Sequence, residues 1–211
     1  MVYHDAQKKA ILKNRSTYLL LLFAAAMLYS CSPRTISTKY YEENKDALDR
    51  IEESYSRLYK EKPFTVAFTD KDFQTISLEI ITDSLKYIYE FGLNEKRIRD
   101  SLRKYDLDVA GTMELIREMR SIRCTWVNNF DHYVDGKKKL LVFMSIKPVG
   151  LNGFFSNKRY YILTYFSQPQ YYDQQGRLLD NRKQRQLQRL NGEVFKRIND
   201  KVSYTVSSNY R

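Results

Sequence analysis

Cys124 and His132 have the residue types of a nucleophile and its general base, and they lie in one strand-like segment of this 211-residue chain. An even separation places both on one face of a strand, yet at about 3.3 Å per residue they stand roughly 26 Å apart. A nucleophile and its base need hydrogen-bond contact, so this spacing gives no dyad. Cys124 reads as a buried small hydrophobe, and His132, beside a hairpin, as a solvated turn residue. A zinc site built on these two would need carboxylates to complete it, which is rare for structural zinc. The run Asp131-His132-Tyr133-Val134-Asp135-Gly136 starts like a calcium loop. It fails at the third position, Tyr133, and at the twelfth, Val142, where a bidentate Glu belongs. Glu114 and Glu118 share a helix face with Arg117 and Arg120 nearby, which reads as a solvated surface. None of the seven glycines lies in a phosphate loop, and no serine sits in Gly-x-Ser-x-Gly. No catalytic residue, metal ligand or cofactor is therefore expected. Carboxylates brought together from separate strands for glycan hydrolysis stay open, because spacing along the chain does not address them.

The most informative stretch comes earlier, at Ser16–Ser32, STYLLLLFAAAMLYSCS. Its unbroken apolar run from Tyr18 to Tyr29 spans about 18 Å as a helix, well short of a hydrocarbon core of roughly 30 Å. A cleaved signal needs only a short apolar run behind a positive segment. Lys8, Lys9, Lys13 and Arg15 supply that charge against Asp5 alone.

Leu28, Ser30 and Cys31 close the run and resemble the lipobox of bacterial lipoproteins, in which Leu, a small residue and Gly, Ala or Ser precede Cys. The resemblance covers residues 1–31. It implies that Cys31 takes a diacylglyceryl group, that residues 1–30 are cut away, and that two or three acyl chains, palmitate among them, anchor the chain. Several chains hold firmly where one holds marginally. Ser32 in place of Asp after the cysteine looks like a protein passed to the outer membrane, facing the periplasm. The alternative is an uncleaved inner-membrane signal anchor.

Composition fits that compartment. The chain carries 36 basic and 25 acidic residues, and residues 31–211 keep a net charge of +8. In the cell envelope the anionic partners are phospholipid headgroups, lipopolysaccharide phosphates or an acidic envelope protein, not nucleic acid. With Cys31 acylated, Cys124 is left as a lone thiol that cannot close an intrachain disulfide. A domain of this length must stand on its core. Eighteen Tyr and eleven Phe favour sheet.

Residues 31–38 read as a lipidated polar tether and 39–211 as a single domain. A first helix is expected from about Thr38 to Lys60, with Tyr41, Leu48, Ile51, Tyr55 and Leu58 as its apolar stripe. Three alternating strands follow: Phe64/Val66/Phe68, Ile76/Leu78/Ile80 and Leu85/Tyr87/Tyr89/Phe91. Asn94 is placed to cap a short helix to about Tyr105, and a second helix runs from Val109 to Ile122. Strands at 124–134 and 138–147 are joined through Asp135-Gly136, and a third covers 159–166. A last amphipathic helix is expected over about Lys183–Asn199, then a strand through Val202, Tyr204 and Val206. The order α-βββ-αα-βββ-α-β argues an α+β fold of antiparallel sheet packed by amphipathic helices. Whether it forms one sheet or two subdomains is open.

Three surfaces stand out. The last helix and its flanks carry Arg177, Arg182, Lys183, Arg185, Arg189, Lys196, Arg197 and Lys201, of which Arg185, Arg189 and Arg197 would form an anion-facing patch. The tyrosines Tyr160, Tyr161, Tyr165, Tyr171 and Tyr172 could fill a partner interface, and so could Phe154 and Phe155 in the glycine-flanked loop 150–156. Ordinary solvated helix and sheet positions account for the same residues. The expected function is a membrane-anchored envelope lipoprotein acting as a non-enzymatic binding or assembly module. The alternatives are an envelope hydrolase using carboxylates on peptidoglycan or glycans, and an immunity-type inhibitor lipoprotein.

Overall fold

The computed structural model describes residues 32–134, 137–146, 160–179 and 195–207. The chain divides into two compact units, residues 1–36 and 37–211. Of the first, only Ser32 and the opening turn of helix α1 (Pro33–Glu61) are described.

That opening turn corrects the tether expected over 31–38. Ser32 Oγ accepts the backbone N–H of Thr35 at 3.2 Å, and Ile36 N–H donates to the Ser32 carbonyl. Ser32 is thus a helix cap with Pro33 at the first helical position, where a missing N–H costs nothing. Within the second unit α1 buries Ser37, Tyr41, Leu48, Ile51, Tyr55 and Leu58, the last five being the expected stripe.

Strands β1 (Phe64–Phe68), β2 (Thr75–Ile81) and β3 (Lys86–Gly92) follow as an antiparallel meander. In the β1–β2 loop, the Asp70 carboxylate accepts backbone N–H groups of Asp72, Gln74 and Thr75. Partial burial works against ionisation there, but those amides outweigh it and hold the Asp70 carboxyl below its usual range. Helices α2 (Lys96–Lys104) and α3 (Val109–Ser121) come next, burying Ile98 and Leu102, and Leu115, Ile116 and Met119. Asn94 lies one residue too early to cap α2, which starts after Glu95 without a side-chain cap. α3 is capped by Asp108, whose carboxylate accepts Gly111 N–H at 3.0 Å.

Strands β4 (Cys124–Val134), β5 (Lys137–Ile146), β6 (Tyr160–Phe166), β7 (Lys196–Arg197) and β8 (Val202–Ser207) complete one antiparallel sheet of order β3-β2-β1-β4-β5-β6-β8-β7. The pairing of β1 with β4, Val66 opposite Val127, fuses the two halves. The two-subdomain alternative therefore does not hold, and the fold is α+β. Along one row the sheet presents Tyr89, Leu78, Val66, Val127, Met144, Leu163 and Tyr204 to the helices. These residues belong with α1, α2 and α3 to one core.

α1 crosses this sheet. Tyr55 Oη donates to the Phe64 carbonyl on β1 at 2.6 Å, Tyr165 Oη on β6 donates to Asp49, and Asn199 beside β8 donates to Tyr41 Oη. The opposite face of the sheet holds a smaller cluster of Leu141, Phe166, Leu178 and Phe195. It also buries a row of hydroxyls, Ser145, Thr164, Ser203, Thr205 and Ser207.

Candidate functional site

The segment after β6 turns into a narrow ribbon. Tyr172 bridges Leu178, and Leu179 N–H donates to the Tyr171 carbonyl at 2.9 Å. The turn between them is fixed by Asp173, whose carboxylate accepts Arg177 N–H at 2.7 Å and whose carbonyl accepts Gly176 N–H. Gly176 has φ +72°, a conformation that glycine alone adopts without strain. The second arm lies on β7 through an Arg177–Lys196 bridge, so the ribbon covers that edge of the sheet.

Strand parity then sorts the side chains. Leu178 and Tyr172 turn inward, and Tyr172 Oη shares a 2.8 Å hydrogen bond with Ser203 Oγ. Burial raises the Tyr172 phenol pKa above its usual value, while Ser203 and Arg197 pull it back in part. Tyr171 and Leu179, opposite one another, turn outward and are 81% and 47% exposed. The Arg197 guanidinium lies 5.6 Å from the centre of the Tyr172 ring and also pairs with Asp200. Arg177, Lys196 and Lys201 are exposed beside it.

Several expectations change here. Arg197 does not lie on a helix: Lys196–Arg197 is strand β7, and Ile198–Val202 is a tight turn in which Asn199 Oδ1 accepts the N–H groups of Lys201 and Val202. The apolar stripe misleads because Phe195 packs in the smaller cluster on one face while Ile198 packs on the main core. Arg185 and Arg189, and the helix expected up to residue 194, lie outside the described residues, as do Phe154, Phe155 and Cys31. The tyrosine series does not form one surface. Tyr165 is buried on the core side, which removes it as a partner residue, and its phenol is pushed up by burial and then by Asp49. Tyr160 is half-buried at the start of β6, one residue out of phase with Tyr161 and Tyr165. Tyr172 and Arg197 do come together, whereas Tyr171 faces the other side of the ribbon.

The catalytic candidates fare differently. Cys124 is fully buried, with its thiol donating to the Trp126 carbonyl at 3.5 Å. Burial pushes its pKa up to about 12. A bulge at Thr125 also breaks the alternation of β4, so an even spacing from Cys124 no longer implies a shared face. The side chain of His132 lies outside the described residues. Glu114 pairs with Arg117 on its own helix, and Glu118 pairs with Arg50 of α1 at 2.5 Å. A polar thiol reagent is expected to leave native Cys124 unmodified at neutral pH and to label it fully after denaturation. Rapid labelling of the folded chain would contradict the burial.

Among the described residues, the carboxyl whose pKa rises above its usual range is that of Glu52. Burial is the main cause, Asp49 and Glu53 add to it, and Ser56 and Lys60 oppose it. Asp49, one turn away, is engaged by Lys45 at 2.5 Å and by Tyr165. Among the described residues no cluster of His, Cys, Asp and Glu is placed to hold a metal, and no helix is long and apolar enough to cross a membrane. No family model, no curated protein and no solved structure matches the chain.

Proposed function

We propose that this chain is a lipid-anchored protein of the bacterial cell envelope, held through Cys31, that works by binding rather than by catalysis. The observation that carries the binding reading is the ribbon at residues 171–179. It presents an exposed aromatic–aliphatic pair, Tyr171 and Leu179, on the same side as the exposed cations Arg177 and Lys196, with Arg197 exposed at the same edge over Tyr172. Such a pairing suits the interfacial zone of an anionic membrane, where an amphipathic ring sits at headgroup level and basic groups meet phosphate. Together, a lipid anchor and this ribbon would hold the domain against the periplasmic surface of the outer membrane.

The hydrolase alternative has one observation in its favour. Glu52, raised toward the protonated form, stands one helical turn from Asp49. Both carboxyls come from one helix, however, and Asp49 is tied up by Lys45 and Tyr165.

The membrane reading is tested with vesicles containing phosphatidylglycerol and a soluble chain starting at Ser32. Basic residues close to an anionic surface contribute about 1 kcal/mol each. Replacing Arg177, Lys196 and Arg197 together by Gln is expected to weaken binding by up to about 3 kcal/mol. Added salt should weaken the wild type in the same way, with little change in folding stability. A wild-type chain that ignores such vesicles at low salt would overturn the reading.

A further inference from the structure

At the end of the sheet away from the ribbon, β3 is the last strand among the described residues and pairs on one side only, with β2. Its outer edge carries no partner strand there, and Ile88 at its centre is 68% exposed. The parity of the ladder follows from its two ends. Thr82 N–H donates to the Leu85 carbonyl, and Leu93 N–H donates to the Gln74 carbonyl. In an antiparallel ladder hydrogen-bonded pairs alternate with non-bonded ones. Leu85, Tyr87, Tyr89, Phe91 and Leu93 thus direct their backbone groups to β2. Lys86, Ile88 and Glu90 direct theirs to the outer edge. The same three residues carry exposed side chains on the face away from the helices. Tyr87 and Tyr89 lie on the helix side, half-buried against Tyr105 at ring distances of 5.2 and 5.9 Å.

The sequence Lys86-Tyr87-Ile88-Tyr89-Glu90 is complementary to itself when read antiparallel. With a twofold axis through Ile88, the strand meets a second copy with Ile88 opposite Ile88, Lys86 opposite Glu90, and Tyr87 opposite Tyr89. The central and charged positions are those whose N–H and C=O groups face outward, so each of these pairs can exchange two backbone hydrogen bonds. Other registers fare worse. An axis at Lys86 or at Glu90 sets like charges opposite each other, and an axis at Tyr87 or Tyr89 sets Ile88 opposite a charge. Edge strands are usually protected by proline, by bulges or by charge of one sign. β3 has neither proline nor register shift, and its two charges match instead of repelling. Lys86 is already drawn to this face by Glu79, at 2.5 Å, and would lie between two carboxylates in the pair.

We infer that β3 is a self-association edge: two copies of this chain pair β3 to β3, antiparallel about Ile88, and join their sheets into one. The partner is a second copy because the charge order of the strand complements itself, and a twofold interface demands that self-complementarity. The inference does not depend on the anchoring or the membrane-binding reading.

The test is sedimentation of the full chain in detergent across a concentration series, with circular dichroism on each variant to verify folding. The wild type is expected to dimerise. Lys86→Glu places two carboxylates opposite each other, at position 86 of one copy and at Glu90 of the other, and does so on both sides of the axis. It is expected to raise the dimer dissociation constant at least about tenfold. Lys86→Glu combined with Glu90→Lys restores opposite charges across the axis and is expected to restore dimerisation. Glu79 is unchanged in both variants, so recovery reports on the contact between copies. Ile88→Lys, at an exposed position of the monomer, is expected to give a folded monomer. A wild type that stays monomeric at every concentration would overturn the inference. So would a dimer indifferent to Lys86→Glu, or a double swap that fails to recover it.

Discussion

Tyr55→Ala is expected to cost about 3–5 kcal/mol, a large share of the roughly 5–15 kcal/mol that holds an ordinary domain folded. Tyr55 is fully buried where α1 meets β1. Its ring lies 5.4 Å from that of Phe64 and 5.7 Å from that of Tyr59, and its hydroxyl donates to the Phe64 carbonyl at 2.6 Å. Truncation removes the ring contacts, leaves a cavity under the helix and strands a buried carbonyl. The variant Tyr55→Phe separates these effects. It keeps the ring and loses the hydroxyl, and should cost about 1–3 kcal/mol for the unpaired acceptor. Urea unfolding of both variants checks the pair. If Tyr55→Ala shifts the midpoint no more than a surface substitution does, α1 is not the lid of the core.

Cys31→Ala has the largest expected functional effect. On the lipoprotein reading the thiol is the acceptor for the diacylglyceryl group, and no other side chain can take its place. The variant should incorporate no labelled palmitate, should keep residues 1–30, and should run about 3 kDa heavier than the processed form. The lost chains are also the anchor. With each buried methylene contributing about 0.8 kcal/mol, losing two or three acyl groups leaves the variant to be held by its uncleaved apolar run, Tyr18–Tyr29, and by the ribbon with its cations. Labelling of the variant at wild-type levels would place the lipid elsewhere.

The first strands were legible because their apolar residues repeat every two positions, cleanly so in the burial of β2. Phe64, Val66 and Phe68, and Ile76, Leu78 and Ile80, are buried as their alternation requires. Pairing between distant strands was not legible. The β1–β4 ladder that makes one sheet joins Val66 to Val127, and no local pattern encodes that contact. Periodicity failed at Phe195 and Ile198, whose spacing fits a helix but which pack on opposite faces of the sheet; the Asn199-Asp200 turn signal was the stronger cue. The start of α1 was missed for a related reason. Ser32-Pro33 looks like a flexible tether yet has the residue types of a cap and first helical position.

The ribbon was half legible. Tyr171, Tyr172 and Arg197 were singled out as members of two separate surfaces, and the structure joins Tyr172 to Arg197 while turning Tyr171 to the other side of the ribbon. The ribbon's turn could have been read from Asp173 and Gly176 between two apolar pairs, and it would have brought Leu179 to Tyr171. Tyr165 was misassigned because alternate residues of β6 face opposite sides, and its neighbours in sequence are not its neighbours on a surface. The self-complementary order of Lys86–Glu90 was present in the sequence throughout. Its meaning depended on β3 being the end strand, which only the strand order supplies.

The account rests on Cys31, and the most direct measurement is the intact mass of the wild-type chain extracted from bacterial envelopes. The predicted result is a chain that begins at Cys31, lacks residues 1–30, and carries the added mass of a diacylglyceryl group with or without a further acyl chain. An unmodified chain that still begins at its first residues, or a chain cut elsewhere without lipid, would contradict it.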